Sequence, residues 1–536
     1  MEKITKSPWL RLLALLKLDK TEVRQLYIYA VFSGIVGLSL PLGIQSVIHF
    51  IQGGQITTSW FILIILVVLG IILAGVLQIM QLRITENIQQ RIFTRYSFDL
   101  AYRFPRFNRM IISKENTSEL MNRFFDIINI QKGVAKILLD FPSALLQIAF
   151  SLIVLSLYHP LYIAFSIILT VVIILIFKPL ISKGFKTSLI ESKNKYKMAY
   201  WLQEIARADW SFRQNSNDNN ALKTVDVLAQ NYIASRESHF KILWKHYLFM
   251  ISIKAFIVLS LLGLGGYLVI SQEMNLGQFV AAEALILITL TSFEKIIQLL
   301  ETLYDVFTSV EKIEQVRDLP LTYEDELSNI EIKDFFPLEI ITTAQPLKTL
   351  LTINRGDKVL IKNSDSVATA SLMRQLIDPT TSQTTCPRWN YTAPTQSMIA
   401  TIFKNVGWFE KQGYLFDGTL RDNIIMGRQE LSHVDLEKVL KIVGLFDFVQ
   451  THPLGFDTEV SAKNKELSFE QRERILIARA IIQKPEIIIL SLYGLSLEES
   501  EIQTLLSKIE AEYAKSTIII GSNIQYKMNW NQEKIN

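Results

Sequence analysis

Six apolar stretches, each about as long as the 20 residues a helix needs to cross a hydrocarbon core about 30 Å thick, lie before position 305. They run roughly over Leu26 to Phe50, Trp60 to Met80, Leu139 to Tyr158, Leu161 to Leu180, Tyr247 to Ile270 and Gly277 to Leu300. This uneven distribution explains a mean hydropathy of +0.26 in a chain of 536 residues. The expectation is a multi-pass α-helical membrane domain of six spans followed by a soluble tail.

Three short links, Gln52 to Ser59, His159-Pro160 and Ser271 to Asn275, join neighbouring stretches and hold no Lys or Arg. The N-terminus (Lys3, Lys6, Arg11, Lys17, Lys20, Arg24) and the long links, roughly 85–138 and 181–246, are rich in both. Basic loops stay on the cytoplasmic side, so the short links are expected outside and both termini inside the cell (inner) membrane. The basic start leads into a span too long for a signal h-region, and no small-residue cleavage site follows, so no cleavable signal peptide is expected. The single cysteine, Cys386, excludes an internal disulfide and fits a reducing compartment. The formal charge of +4 is accounted for by the inner loops, and no nucleic-acid partner is expected.

Two ionisable residues fall at membrane depth, where a charge costs several kcal/mol unless it is paired or hydrated. Glu283, in the sixth stretch, either lines a substrate path or bonds a neighbouring helix as a structural lock. Lys254, in the fifth, either serves such a path or snorkels from near the inner end of its helix. The six histidines, His49, His159, His239, His246, His433 and His452, show no metal-ligand spacing, and no metal site is expected.

After Arg317 a polar linker reaches about Asn329. Short β-branched runs such as Ile330-Glu-Ile332 and Lys358-Val-Leu-Ile361 then alternate with helical patterns, as in an α/β domain. The expected organisation is a transmembrane domain over 1–317, a linker over 318–329 and an α/β domain over 330–536.

Several passages carry a family resemblance. Tyr414-Leu-Phe-Asp-Gly-Thr-Leu-Arg-Asp-Asn-Ile424 resembles the stretch after the Q-loop of an ABC nucleotide-binding domain. Leu467-Ser-Phe-Glu-Gln-Arg-Glu-Arg-Ile-Leu-Ile-Ala-Arg-Ala480 resembles the signature motif and its helix, and Ile487-Ile-Ile-Leu-Ser-Leu-Tyr-Gly-Leu-Ser-Leu-Glu498 the Walker B strand and D-loop. In the long inner links, Ser118 to Asp126 and Trp201 to Arg207 resemble the segments flanking the coupling helices of ABC exporters. Order and spacing are similar to an exporter-type half-transporter of the type I secretion and bacteriocin-export branch along almost the whole chain. No peptidase domain of the kind some secretion exporters place ahead of the first span is expected.

The resemblance also identifies positions where nucleotide chemistry should sit, and this chain departs from the family at each. A phosphate-binding loop needs glycines so that backbone N–H groups can wrap phosphates, a lysine for the β and γ oxygens, and a hydroxyl on Mg²⁺. Here Asn363, Ser366 and Ala368 stand at the glycines, Thr369 at the lysine and Ala370 at the hydroxyl. Lys411 stands at the Q-loop glutamine, a shift of one residue to Gln412 being opposed by the Leu-Phe-x-Gly-Thr that follows. Ser491 and Leu492 replace the Walker B Asp and the Glu that polarises water, and Ser522 replaces the H-loop histidine. No aromatic near Phe335 to Glu339 is an evident adenine partner. No catalytic residue is therefore expected, and ATP with Mg²⁺ is expected only through a partner subunit, with residual nucleotide binding as the other reading.

The signature is partly kept. Leu467, Ser468 and Gln471 match, while Phe469 and Glu470 replace two glycines. In the head-to-tail dimer implied by the family, Glu470 would face the partner's γ-phosphate. At about 5 Å and an effective dielectric of about 20, that repulsion is about 3 kcal/mol per unit charge. The polar end, Gln525 to Asn536, is expected to lack the final strands such domains usually have.

The resemblance thus implies the non-catalytic subunit of an exporter, forming a hetero- or homodimer with another half-transporter, with membrane lipid around it and a periplasmic adaptor as a further expected partner. A membrane scaffold or regulator that transports nothing is the alternative. Autonomous ATP-driven export by a homodimer is opposed by every altered motif. The topology is tested by cysteine labelling after Cys386 is replaced: cysteines at Gly53 and Glu273 should react with an impermeant reagent in intact cells, and one at Glu204 should not. Labelling at 204 would overturn the six-span arrangement.

Overall fold

The computed structural model describes residues 8–53, 58–108, 112, 117–214, 220–322, 336–342, 349–362, 366–378, 385–393, 395–411, 413–428, 430–460, 467–524, 526 and 530–534. The chain separates into two compact units, one of Met1–Arg103 with Glu115–Asp318, the other of Phe104–Lys114 with Leu319–Asn536. Of the expected linker 318–329, residues 323–329 lie outside the described residues, as does the run Ile330 to Ile332.

The first unit is helical: α1 (Pro8–Lys17), α2 (Lys20–Gly37), α3 (Ser39–Gln52), α4 (Thr58–Arg103), α5 (Asp126–Ser156), α6 (Pro160–Arg207), α7 (Asn220–Ser260) and α8 (Leu276–Arg317) are its main elements. Among the described residues, five helical stretches are long and apolar enough to cross a membrane: Lys20–Gln52, Thr58–Arg106, Glu119–Ser156, Asn220–Ile270 and Leu276–Arg317. The fourth expected span falls in α6, whose described side chains give a shorter apolar stretch, Pro160–Val171. Ends of these helices are set locally. Pro160 opens α6, where its missing N–H costs nothing, and the His159 side chain accepts from Leu161 N–H. At the start of α8, Asn275 and Gln278 form a reciprocal capping box.

Helix contacts at the two ends of this unit differ in kind. Two of the links free of Lys and Arg meet, with His159 Nε2 2.9 Å from Glu273 Oε2. Nearby, Tyr158 O–H donates to Gln45 Oε1 at 2.7 Å. In the long extensions, Asp126 is buried and accepts from Tyr196 O–H at 2.6 Å and Ser309 O–H at 3.4 Å, tying α5, α6 and α8. Lys254 pairs with Glu294 of α8, so its charge is met by a neighbouring helix and not by snorkelling alone.

In the second unit, five parallel strands lie in the order β10-β3-β9-β8-β5, formed by Asn531–Lys534, Lys358–Lys362, Thr517–Gly521, Ile487–Ser491 and Val406–Phe409. Beside it stands an antiparallel sheet β2-β1-β4, formed by Thr349–Ile353, Leu338–Thr342 and Thr385–Trp389. A two-residue pair, β6 (Gly418–Thr419) with β7 (Glu459–Val460), completes the strands. Alternate residues of the central strands feed two cores: Leu360, Ile488, Leu490, Ile518 and Ile520 enter one, Val359, Ile361, Ile487, Ile489 and Ile519 the other. A parallel sheet covered on both faces requires such unbroken apolar runs. Its main helices are α9 (Ser366–Gln375), α10 (Gln396–Asn405), α11 (Leu420–Ile425), α12 (His433–Val443), α13 (Phe469–Ile481) and α14 (Glu499–Glu512), with a further short helix over Phe446–Thr451.

One expectation fails. The polar end is not without a strand: Asn531–Lys534 pairs in parallel with Lys358–Lys362, and Tyr526 and Trp530 are buried in the core ahead of it. These two aromatics anchor the segment, so its polar composition misrepresents its burial.

Close helix contact generates a test. At Gly133 of α5 an added Cβ would overlap Val306 Cγ2 of α8 and lie 3.3 Å from Thr302 Cγ2. Val306 is fully buried. Gly133→Leu should destabilise the helical unit by about 1–3 kcal/mol, read as a lower Tm in detergent, whereas the same change at Gly75, which faces open space, should not.

Candidate functional site

The C-terminal edge of the parallel sheet is where the altered motifs converge, because β3, β8 and β9 all end there. β3 leads through a segment containing Asn363, outside the described residues, into α9, which begins at Ser366 and includes Ala368, Thr369 and Ala370. Thr369 is buried at 2% exposure and Met373, one turn on, is fully buried. Both face the end of β9: a Cβ on Gly521 would overlap Met373 Sδ and lie 3.2 Å from Thr369 Cγ2 and 3.2 Å from Tyr493 Cε2. A methyl, a thioether and an aromatic ring thus meet at one glycine. The atoms of these three side chains nearest Gly521 are carbon and sulfur, which donate no hydrogen bond.

The flanking positions are equally enclosed. Ser491 and Leu492 are buried, and Leu492 N–H donates to Gly521 O at 2.9 Å. Ser522 is fully buried; its N–H donates to Ile361 O at 3.2 Å, its Oγ accepts from Ile524 N–H at 3.1 Å and lies 3.0 Å from Tyr526 Oη. Burial pushes the Tyr526 phenol pKa up, so this hydroxyl pair stays neutral and serves the turn.

At the end of β5, Lys411 donates to Gly494 O and lies 3.9 Å from Glu473 Oε1. Gln412 lies outside the described residues. The preceding residue, Glu410, is held by Arg374 of α9, with Nε–H donating at 2.9 Å.

The signature segment forms a second cluster. Ser468 and Gln471 make a capping box that starts α13, with Ser468 Oγ accepting from Gln471 N–H at 3.1 Å and Gln471 Oε1 from Ser468 N–H at 2.9 Å. Their match to the family motif therefore has a local structural cause. Leu467 is buried in the core, while Phe469 is 74% exposed. Glu470 is not a bare carboxylate: it accepts from Arg474 Nε–H at 2.8 Å, and the same guanidinium donates to Glu501 at 3.0 Å and Val443 O at 2.6 Å. The repulsion estimated from an isolated charge is correspondingly an upper figure.

Glu283 belongs to the helical unit. It is exposed on α8 with Leu287 and Thr291, opposite buried Ala281, Ala282, Leu285 and Ile286, and makes no hydrogen bond or ion pair with any described residue. The structural-lock alternative finds no partner among them. Sequence reading missed Met373, Tyr493, Glu410 and Glu473. Of these only Glu473 left a signal, as a carboxylate on the same helical face as the buried Leu476, Ile477 and Ala480.

No family model matches the chain. It is 26% identical over 371 residues, 66% of its length, to a Rickettsia felis protein named as an export ATP-binding/permease protein, of which that region is 63%. It is 23% identical over 432 residues, 74% of its length, to the lactococcin-A transport/processing ATP-binding protein LcnC of Lactococcus lactis, covering 56% of that protein. With the transport/processing ATP-binding protein ComA of Streptococcus pneumoniae it shares 24% identity over 50% of its own length and 38% of ComA. The chain thus spans less than two thirds of each of these relatives. Its fold matches that of a bacterial Atm1-family ABC exporter with ATP bound at a TM-score of 0.78, with 13% identity, over 94% of this chain and 91% of that one.

The packing at Gly521 yields a test. A lysine at position 369 would have to bury its chain beside Gly521 and Met373 or displace them. Thr369→Lys should lower stability by about 1–3 kcal/mol without conferring binding of a fluorescent ATP analogue. A variant of unchanged Tm that binds the analogue would overturn this account of the site.

Proposed function

We propose that this chain, an exporter-type ABC half-transporter similar to the bacteriocin- and peptide-export proteins, is the non-catalytic subunit of an exporter and assembles with a half that hydrolyses ATP. The observation that carries the reading is the residue set at the C-terminal end of the sheet: buried Thr369, Ser491, Leu492 and Ser522 supply no lysine, carboxylate or imidazole. Ser491 and Leu492 supply no carboxylate for Mg²⁺ or for activating water. Phosphoryl transfer depends on positioning and charge stabilisation, so losing the cation, the lysine and the base together leaves no route to turnover.

A dimer of two identical copies would contain two sheet ends without those groups, which favours a different, competent half as partner. The second unit then acts as a packing and coupling module, with α13 presenting Phe469 and the Glu470–Arg474 pair toward that partner. The membrane unit supplies half of a path. Glu283, exposed at membrane depth, fits the polar lining of that path, and peptide or protein cargo is the class favoured by the resemblance. Both termini lie on the cytoplasmic side in this reading, and 1–317 and 330–536 act as the membrane and nucleotide-binding-like domains.

Steady-state assay of the purified chain with Mg²⁺ and ATP tests the proposal: turnover should not exceed the protein-free blank. Mg²⁺-dependent, vanadate-sensitive hydrolysis by the unmodified chain alone would sink it.

A further inference from the structure

Three charged side chains fix the segment that follows β5. Arg374 of α9 holds Glu410, Arg479 of α13 donates to Tyr414 O at 2.9 Å and to Asn423 O at 2.6 Å, and between them Lys411 donates to Gly494 O. The third tie differs from the others because it reaches the loop after β8. Gly494 has φ +64, a conformation in which a side chain is strained, so its carbonyl is set by the backbone. Glu473 completes the junction from α13. This buried carboxylate accepts from Ser496 N–H at 2.8 Å and Ser496 O–H at 3.2 Å, and among the described residues its ion-pair partner is Lys411 at 3.9 Å.

One ammonium therefore touches a carbonyl of the loop after β8 and faces a buried carboxylate of α13 while its own backbone continues β5. Two acceptors from separate elements share it, and a buried carboxylate is costly without a compensating charge. We propose that Lys411 is an internal lock: a cation carried by the chain that joins the segment after β5, the loop after β8 and the start of α13, and keeps these three in one arrangement independently of nucleotide. The inference rests on the reading that this chain does not use a nucleotide of its own, and it adds what holds the junction in its place. It assigns Lys411 a positive structural role at a position where the loss of a glutamine alone would predict looseness.

Hydrogen–deuterium exchange of the full chain in detergent tests the lock, followed in peptides covering 410–416 and 493–498. Lys411→Gln should raise exchange in both segments about three- to tenfold, the range for losing one charge-assisted hydrogen bond from a side chain that is roughly half exposed. Lys411→Arg, which keeps the cation, should stay within about twofold of the unmodified chain. Mg²⁺-ATP should leave both segments of the unmodified chain unchanged. The lock is overturned if Lys411→Gln leaves 493–498 as protected as before, or if Mg²⁺-ATP alters that protection in the unmodified chain. ATP turnover measured on the same samples separates the two readings. Turnover with protection insensitive to Mg²⁺-ATP and lost in Lys411→Gln sinks the proposed function alone, and no turnover with an unaltered Lys411→Gln sinks the lock alone. Should the glutamine variant fail to fold, Glu473→Gln, which keeps an acceptor for Ser496 and removes the charge that faces Lys411, should raise exchange in 410–416 and 493–498, and no rise in either would also overturn the lock.

Discussion

A backbone passing through hydrocarbon finds no water for its N–H and C=O groups, and each group left unpaired there costs several kcal/mol. The first unit satisfies this constraint with very long helices: α4 has 46 residues, α6 has 48 and α8 has 42. Helices of this length continue past a bilayer of about 30 Å, so the same elements build both the spans and the extensions beyond them. Their association relies less on apolar burial, since lipid is as apolar as a leucine side chain, and more on close approach and polar contacts. Gly133 against Val306, Gly184 against Tyr304, and the Asp126–Tyr196–Ser309 and Ser188–Thr308 contacts fit that expectation.

The second unit answers a different constraint. Its parallel strands are covered on both faces, which forces apolar residues at successive positions and leaves function to the strand ends and the loops beyond them. At those ends this chain extends its core outward. Thr369, Met373, Tyr493, Leu492 and Ser522 are packed or hydrogen-bonded into the protein, and the turn after β9 is closed by a Ser522–Tyr526 contact. Each of these residues gains packing or a hydrogen bond from the protein itself. Retention of the signature's Ser468 and Gln471 follows the same economy, because they start a helix whose buried face includes Ile475, Ile477 and Ile481.

Charged residues then take over connections between elements. Arg374 with Glu410, Arg479 with the carbonyls of Tyr414 and Asn423, and Lys411 with Gly494 and Glu473 all cross between segments far apart in sequence. Arg474 does the same for Glu501 and Val443 O, besides pairing with Glu470 one turn before it on the same helix. Each multivalent donor satisfies several acceptors from different loops, which suits arginine in particular because its donors are held in a fixed fork.

Much of the fold was legible in the sequence because it depends on local periods. Apolar runs of span length announced the membrane helices, and the β-branched run Lys358-Val-Leu-Ile361 announced a strand. That Thr369, Ser491 and Leu492 carry neither lysine nor carboxylate could likewise be read directly, since it is a property of the residue itself. The strand Asn531–Lys534 was not legible, because its pairing with β3 is fixed by Tyr526 and Trp530 entering a core built from residues tens to hundreds of positions away. Nor could sequence reveal that Glu294 meets Lys254, that Arg474 reaches Glu501 and Val443 O, or that Met373 and Tyr493 meet at Gly521. Composition and period record how much of each segment must leave water; which side chain then neutralises a given charge or fills a given gap is decided only when distant elements come within a few ångströms, where packing and Coulomb forces act.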